Sequence, residues 1–469
     1  MSELVVIGVV LAGVVAFVDW RRGLLLSVLA GFAQDPVRKL LPGEPVWLVL
    51  VVGVLFAATV LGAATRGMPL SLRPVTRAHP ALRAPLALFL AVVAAQIVAT
   101  AVRTGSPALT GIGIIAYLSP VVALVLAFHL ARSGALVMRV LRLYVLGVTV
   151  MLAAVYLDVA GLDGALLDPV GPGLYVYPES GGAVRLPSGL FRAPEVAAWH
   201  GASALGLLAV LVLVPAWRHG GAAAVVVALV LLGAIALTGR RKMLVDLVVF
   251  VVVFAALLAH FRRGAGRLAG GLALLAVAAG VGQIVVDPGP EGHAWEPYLE
   301  RTANVVDDAA ARVRGVLVDG VLATLRHNGP LGAGAGVGSQ GAQHFGGGVV
   351  AVGVAAEGGI AKIAAELGLP GLVAFGWLAL AGAGSVWRGL GAPSTRADRA
   401  RSVTAMGLAA FLVANLVTYA AAAQVYGDPF VLLLLGLATG VLLACVRAPE
   451  ASVSPLPAGT AADSRPGGR

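Results

Sequence analysis

The sequence has almost no cysteine and few charged residues. Its single cysteine, Cys445, excludes an internal disulfide and lies in an apolar run, so we expect it to act as a small hydrophobic residue. Only 12% of the residues are charged, whereas 59% are hydrophobic and the mean hydropathy is +0.94. Soluble domains carry about 25% charged residues. The composition therefore excludes a soluble domain and is typical of a polytopic membrane protein.

Metal-binding and nucleotide-binding motifs are also missing. The sequence has no CxxC or HExxH motif, and His293, His327 and His344 are spaced too widely for a compact zinc site. The glycine-rich stretch Gly329–Gly348 lacks the Lys-Ser/Thr pair of a phosphate-binding loop. The excess of 33 basic over 23 acidic residues falls mostly at the ends of apolar runs, which does not indicate nucleic-acid binding. We predict no metal, no cofactor and no nucleic-acid partner.

The chain is a succession of apolar runs long enough to cross a bilayer as helices, each of which needs about 20 residues. They cover about residues 4–19, 45–65, 84–102, 109–131, 140–157, 195–217, 221–238, 243–260, 268–286, 366–386, 402–423 and 428–446. We therefore predict an all-α, polytopic integral membrane protein with about 12 (11–13) transmembrane helices. Asp158 and Asp246 lie near the ends of runs, where we expect water to reach them.

One long polar break divides the chain. Residues 1–286 are predicted to form a membrane domain of about nine helices, and 287–357 a large extracytoplasmic loop. Residues 358–446 are predicted to add about three helices, followed by a disordered tail at 447–469. An acid near the N-terminus, where a signal peptide would be basic, predicts that the first run is not cleaved.

Arginine-rich loops predict the orientation. Segments 261–267 and 387–401 are rich in arginine and belong in the cytoplasm, which puts the long loop outside and the C-terminus inside. Arg21 and Arg22 break this pattern. Either the stretch 23–33 crosses as a short extra helix or it lies in the membrane interface.

The turn from Thr238 to Lys242 is the second exception, because it places Arg240, Arg241 and Lys242 outside. One explanation is that a flanking run does not cross or that the cations meet lipid phosphates. The other is an anion site, since arginine presents a fork of donors that matches phosphate oxygens, and pyrophosphate is the natural ligand. Arg185 and Arg192 would face the same compartment.

The long loop ends in a helix that begins at Glu357. Lys362 and Glu366 are four residues apart, so they share a face and can pair, which leaves Glu357 without a local partner. Glu357 is either an exposed acid that favours the helix N-terminus or a general base whose pKa is raised by partial desolvation. The glycine-rich stretch before it is either a flexible lid or a segment whose amides approach a ligand closely.

Three segments resemble the bacterial O-antigen ligase and polysaccharide polymerase superfamily of GT-C-type membrane glycosyltransferases. They are SGLFRAPEVAAWHGA (residues 188–202), PLGAGAGVGSQ (330–340) and EGGIAKIAAELGLPGLVAFGW (357–377). The number of runs and the late position of the long loop are similar too. Ligases of this family usually carry a His-Asn pair where this chain has Ala356-Glu357-Gly358. The difference favours a capsule or exopolysaccharide polymerase over a ligase.

The resemblance implies metal-independent glycosyl transfer on the outer face of the bacterial plasma membrane. The donor would be a glycan on undecaprenyl pyrophosphate and the acceptor a hydroxyl of another glycan, with a chain-length regulator or other envelope-assembly proteins as partners. Glu357 would be the base, and Arg192, Arg240, Arg241 and Lys242 would bind the pyrophosphate. Further candidates for substrate binding are Arg185, His327, His344 and Lys362.

Two other functions fit a polytopic membrane protein. A transporter or flippase of a lipid-linked oligosaccharide would show paired halves, broken helices at matching positions and ionisable residues deep in the spans. An assembly protein without catalysis needs none of these features.

Overall fold

The computed structural model describes residues 2–131, 133–162, 164–171, 175–176, 184–214, 220–262, 315–339, 342 and 358–447. The helices are α1 (Ser2–Val18), α2 (Trp20–Leu40), α3 (Val51–Thr65), α4 (Arg73–Ala78), α5 (Arg83–Thr104), α6 (Pro107–Leu130), α7 (Gly134–Val159), α8 (Pro194–Leu213), α9 (Gly220–Leu237), α10 (Arg241–Phe261), α11 (Gly320–Asn328), α12 (Gly359–Gly391), α13 (Pro393–Ala397), α14 (Arg399–Ala421) and α15 (Pro429–Cys445). Within these residues the fold is helical, apart from a two-stranded antiparallel ribbon of β1 (Tyr175–Val176) and β2 (Val184–Arg185).

Nine helices in the described part of the chain are long and apolar enough to span a membrane. They are α3 with its preceding 3-10 turn Val46–Leu50, α5 with its preceding turn Pro80–Leu82, α6, α7, α8, α9, α10, α12 and α14. Two shorter apolar helices, Glu3–Val18 and Pro429–Cys445, join them. The polytopic membrane class is thus confirmed. The run 268–286, most of the predicted loop 287–357 and the tail after residue 447 lie outside the described residues.

Helix boundaries follow local sequence signals. Ser106 and Asp428 cap α6 and α15, each followed by proline, which is preorganised for the first helical position. Helix α5 ends at Gly105, whose φ of +60° is the left-handed conformation common after a helix.

The C-terminal helix α15 packs closely on α6 through small residues. A Cβ on Gly436 would lie 2.4 Å from the Pro120 carbonyl oxygen, and one on Gly440 would lie 2.2 Å from that of Leu124. Two glycines four residues apart on one face let helix backbones approach closely, as small residues do in membrane helices. This contact anchors α15 and hence the loop that precedes it.

One end of the bundle collects basic residues, and we call it the basic end. The guanidinium of Arg66 donates to the Phe17 carbonyl at 2.8 Å, and that of Arg401 donates to the Cys445 carbonyl at 2.6 Å. The first contact joins the ends of α1 and α3, and the second joins the start of α14 to the end of α15. The His129 ring at the end of α6, which packs along α15, lies 3.1 Å from the Pro69 carbonyl oxygen just after α3 and brings the two pairs together. The basic end comprises Arg21, Arg22, Arg66, Arg139, Arg262, Arg388, Arg396, Arg399, Arg401 and Arg447.

The stretch 23–33 belongs to a continuous helix, α2, and this accounts for Arg21 and Arg22. Helix α2 starts at Trp20, beside the end of α1 at the basic end. It then runs to the opposite end, where Asp35 contacts Arg192. The turn between α1 and α2 therefore lies with the other basic loops, and the first exception to the charge pattern disappears.

Candidate functional site

The end opposite to the basic end holds the predicted site residues that the structure describes, and we call it the site end. It contains the start of α8, the turn between α9 and α10, the glycine-rich segment 329–339, the start of α12 and the loop before α15. These pieces come from distant parts of the chain and meet only in the folded bundle.

The described part of the glycine-rich stretch is packed onto helices. The amides of Ala333 and Gly334 donate to the carbonyls of Ala365 and Glu366 at 2.7 and 3.1 Å, and the Ala335 amide donates to the Gln96 carbonyl at 3.3 Å. The segment is thereby bound to α12 and α5. A flexible lid does not fit residues 329–339, and most of their amides are already bonded within the protein.

Glycine is required here by both backbone angle and space. Gly334 has a φ of +120°, and a Cβ on it would lie 2.4 Å from Thr100 Oγ1. Gly336 has a φ of +91°, and its Cβ would lie 2.4 Å from the Leu109 carbonyl oxygen. Only glycine combines these angles with such close contact to neighbouring helices. The repeated glycines are therefore explained by packing against α5 and α6.

Helix α12 is broken where this segment meets it. Gly368 departs from helical geometry, with φ +66° and ψ −161°, and a Cβ on it would lie 2.4 Å from the Pro330 carbonyl oxygen. The Leu369 amide donates to that same carbonyl at 2.8 Å, which replaces a bond lost at the break. The glycine-rich segment therefore packs into the break in α12.

The predicted pair between Lys362 and Glu366 is wrong. Tyr117 donates its hydroxyl to Glu366 Oε2 at 2.5 Å, and the Gly338 amide donates to Oε1 at 2.9 Å. Both carboxylate oxygens of the fully buried Glu366 are thus bound by groups outside its own helix. Among the described residues, no ion pair joins Lys362 to Glu366.

Arg192 lies between two buried acids. Its Nη1 is 2.6 Å from Asp428 Oδ2 and 3.5 Å from Asp35 Oδ1, and its amide donates to Asp35 Oδ2 at 3.1 Å. The cluster ties α2 to the segment before α8 and to the loop before α15. Lys39, one turn beyond Asp35, donates to the Gly189 carbonyl at 2.8 Å and fixes the same segment.

The two acids already balance the charge of Arg192. Burial alone would raise the pKa of the Asp428 carboxyl, but the adjacent Arg192 guanidinium outweighs burial and holds that pKa below its ordinary value of 3.8. The same pairing raises the pKa of Arg192 against the opposing effect of burial. Asp428 is therefore ionised, and Arg192 is held in place as a neutralised cation.

The turn before α10 places Arg240 at the site end. Gly239, with φ +65°, reverses the chain after α9, and Arg240 precedes the first residue of α10. Arg240 Nη2 lies 2.5 Å from Oε1 of Glu195, which is in the first turn of α8, three residues after Arg192. Both flanking helices are among the nine helices long and apolar enough to span a membrane.

Two adjacent residues of α14 connect this turn to the start of α12. Thr418 donates its hydroxyl to Asp246 Oδ1 at 2.8 Å, in the second turn of α10. The ring of Tyr419 lies against Gly359, where a Cβ would be 2.4 Å from a ring carbon. The Arg240 turn and the start of α12 thus flank the same end of α14.

The other predicted residues lie at the site end in separate contacts or lie outside the described part. Arg185 forms an ion pair with Asp158 beside the β-ribbon. His327 is near the C-terminal end of α11, and Lys242 is half-buried in the first turn of α10. Glu357, His344 and the side chain of Arg241 lie outside the described part of the structure.

Water does not reach Asp158 and Asp246 as expected from the sequence. The side chain of Asp158 is 5% exposed and is paired with Arg185, while Asp246 is 2% exposed and is bonded to Thr418. Both acids are nearly buried because a neighbouring element covers the end of the helix that carries them.

Sequence reasoning missed the acids that hold the arginines. Asp35, Glu195 and Asp428 each contact one of the predicted cations. Asp428 could have been found, because Asp-Pro before an apolar run is a capping signal. Asp35 could have been singled out as an acid that directly follows an apolar stretch.

The comparisons with known proteins leave the chain without an assigned family. No protein-family model matches it, and its sequence is not significantly similar to any curated protein. Within the described residues, no group of three or more His, Cys, Asp or Glu side chains could hold a metal ion.

Proposed function

We propose that the protein is a metal-independent membrane glycosyltransferase that extends a glycan with units from a polyprenyl-pyrophosphate donor. The supporting observation is that the start of α10, at Asp246 six residues after Arg240, and the start of α12 both contact the same end of α14, through Thr418 and Tyr419. The turn supplies cations for the pyrophosphate, and Glu357 directly precedes Gly358, the N-cap residue of α12.

In this proposal the site end faces the outside of the bacterial plasma membrane. The support comes from charge, because the opposite end collects at least ten of the described arginines, and basic loops remain in the cytoplasm. A donor whose polyprenyl chain lies in the bilayer presents its pyrophosphate at the membrane surface, level with the first turns of α8 and α10. The C-terminal tail is then cytoplasmic.

The proposed chemistry needs two contributions from the protein: stabilisation of the leaving group and removal of the acceptor proton. Pyrophosphate is a good leaving group, so fixed cations at Arg240, Arg241 and Lys242 stabilise the negative charge that develops on it. Glu357 removes the proton of the acceptor hydroxyl, which attacks the anomeric carbon as the bond to the pyrophosphate oxygen breaks. Arg192, already held by two acids, shapes the donor side rather than supplying free charge.

A polymerase is favoured over a ligase because Glu357 stands where ligases resembling this chain carry His-Asn. The glycans of a deletion strain test this choice when lipid-linked and polymeric fractions are sized side by side. We expect single repeat units on lipid to accumulate and polymer to disappear. Accumulated lipid-linked polymer would instead indicate a ligase, and an unchanged profile would overturn the proposal.

A transporter of lipid-linked oligosaccharide is the second candidate, and the break in α12 at Gly368 favours it. Broken helices with buried carboxylates form binding sites in many transporters, and Glu366 is such a carboxylate. Here, however, the break is filled by the glycine-rich segment and both oxygens of Glu366 are bonded. Transferase activity therefore remains the better supported proposal.

A further inference from the structure

The tyrosines of the helical bundle differ in whether the protein bonds their hydroxyl groups. In the described part of the chain, four of them hold the hydroxyl in a hydrogen bond to a neighbouring element. They are Tyr117 with Glu366, Tyr144 with His200, Tyr156 with the Val230 carbonyl and Tyr426 with Asn415. Tyr419, in the last turn of α14, differs from these four, because no hydrogen bond to its hydroxyl is found among the described residues.

The ring of Tyr419 is held in one place by its neighbours. A Cβ on Gly359 would lie 2.4 Å from ring atoms Cε2 and Cζ, so the ring packs directly on the first residue of α12. The ring of Tyr426 meets it edge-on at a centroid distance of 5.0 Å, and the ring of Phe375 lies 6.4 Å away. Because Cζ carries the hydroxyl and lies over Gly359, the hydroxyl is fixed beside the start of α12.

The acid on this face of α12 is already engaged. Glu366 is seven residues after Gly359 and therefore lies on the same face, two turns farther along the helix. Its two carboxylate oxygens accept from Tyr117 and from the Gly338 amide. Tyr419 is only half-buried, and its hydroxyl oxygen is not fully enclosed. A rigid aromatic ring thus presents a hydroxyl that is open to a ligand.

Tyr419 lies between the two segments to which the proposed function assigns a role. Its neighbour in the chain, Thr418, donates to Asp246 in the second turn of α10, six residues after Arg240. Its own ring contacts the start of α12 at Gly359. A donor whose pyrophosphate meets the turn before α10 and whose reacting carbon faces the start of α12 therefore passes this ring.

We propose that Tyr419 is a substrate-binding residue, whose hydroxyl donates a hydrogen bond to an oxygen of the lipid-linked donor, in its pyrophosphate or in the sugar attached to it. Tyrosine suits such a place, because one end of the side chain is apolar and packs on the protein while the other is polar. The ring is fixed before the ligand arrives, so binding loses little side-chain entropy. The identity of the ligand rests on the proposed function.

Purified protein in nanodiscs tests the site with two probes, undecaprenyl pyrophosphate and the same lipid carrying a synthetic oligosaccharide. Tyr419→Phe removes only the hydroxyl and keeps the ring on Gly359. We expect it to weaken binding of the glycosylated lipid, about tenfold to a hundredfold for a bond to a charged phosphate oxygen and about twofold to tenfold for a bond to a sugar oxygen. A phosphate partner weakens binding of the bare lipid pyrophosphate as well, whereas a sugar partner leaves it unchanged.

Tyr156→Phe is the matched control, because it makes the same change at a hydroxyl that the protein itself bonds. We expect it to lower the melting temperature through loss of the bond to Val230, at unchanged affinity for both probes. Tyr419→Phe should show the reverse, with an unchanged melting temperature and weakened binding. Unchanged binding of both probes to Tyr419→Phe, an equal loss in Tyr156→Phe, or no binding of either probe to the wild type would overturn the proposal.

Glycan extension by the same samples separates this proposal from the transferase activity. If the wild type lengthens the glycan while Tyr419→Phe binds both probes normally, only the role of Tyr419 fails. If binding depends on Tyr419 but no longer glycan forms, the transferase proposal fails and the binding role of Tyr419 stands.

Discussion

Thr418 donates a hydrogen bond to Asp246 at 2.8 Å, and this contact fixes α10 against α14 at the site end. Its neighbour Tyr419 packs on Gly359 at the start of α12. Two segments with a predicted role, more than 100 residues apart in the sequence, are thereby held on either side of one helix end.

The ion cluster of Arg192 is predicted to stabilise the folded protein. Arg192→Met leaves Asp35 and Asp428 buried without their cation, and we expect the free energy of unfolding to fall by about 3–5 kcal/mol. Replacing both acids with asparagine in the same chain should recover most of this loss. Thermal or denaturant unfolding in detergent measures both effects.

The matched control for the cluster is Arg22→Met, which breaks the ion pair with Asp19. Both side chains of that pair are well exposed, so the free energy of unfolding should change by less than about 1 kcal/mol. A similar small change in Arg192→Met would contradict the role given to the cluster.

The pH dependence of stability should reveal the ionised state of Asp428. The folded-state pKa of this carboxyl lies below its ordinary value of 3.8, so its contribution is fully present above that value. The contribution is lost as the pH falls through the folded-state pKa. The gap in melting temperature between the wild type and Asp428→Asn should therefore stay constant from about pH 8 to pH 5 and narrow below about pH 4. A gap that widens on acidification would show that the carboxyl is neutral when folded.

The packing of the glycine-rich segment can be tested with alanine substitutions at two glycines that both have positive φ. Gly334 and Gly329 both have positive φ, but a Cβ clashes only at Gly334, where Thr100 Oγ1 would lie 2.4 Å away. We expect Gly334→Ala to detach the segment from α5 and to lower transferase activity at least about tenfold, because a misplacement of about 1 Å can cost a hundredfold in rate. Gly329→Ala has nothing within 4 Å and should keep most of the activity. Equal effects would mean that strain alone, and not packing against α5, explains the glycines.

The cations of the turn before α10 are predicted to bind the donor. Arg240→Ala combined with Arg241→Ala should weaken binding of a polyprenyl-pyrophosphate donor at least about tenfold, since arginine–phosphate pairs are strong charge-assisted bonds. The control is Arg139→Ala with Arg399→Ala, which removes the same charge from exposed positions at the basic end. Donor affinity measured in nanodiscs should distinguish the two pairs. Equal losses would indicate a general effect of net charge.

The sequence predicts the helical membrane class because long apolar runs are a strong and local signal. It also predicts which cations stand apart from the positive loops, since Arg240 breaks a regular pattern. Contacts between residues that are distant along the chain leave no local pattern in the sequence. Asp35 and Arg192 are 157 residues apart, and Tyr117 and Glu366 are 249 apart.

The error about Lys362 and Glu366 has the same origin. Spacing along a helix shows which side chains can pair, but it does not show that tertiary donors have already occupied the carboxylate. The sequence leaves the placement of residues 23–33 undecided for a related reason. The contact of Arg66 with Phe17 just before α2, and that of Arg192 with Asp35 near its other end, show that this charged helix runs from one end of the bundle to the other.

Reconstituted activity tests the central claim most directly. Purified protein in nanodiscs is given a synthetic oligosaccharide on undecaprenyl pyrophosphate, and product mass is followed by mass spectrometry for the wild type and Glu357→Gln. We predict that the wild type forms lengthened glycan with release of the lipid pyrophosphate, and that Glu357→Gln is slower by about 10²–10⁴-fold at unchanged donor affinity. Lengthening at the wild-type rate by Glu357→Gln, or a wild type that leaves the mass of the substrate unchanged, would contradict the account.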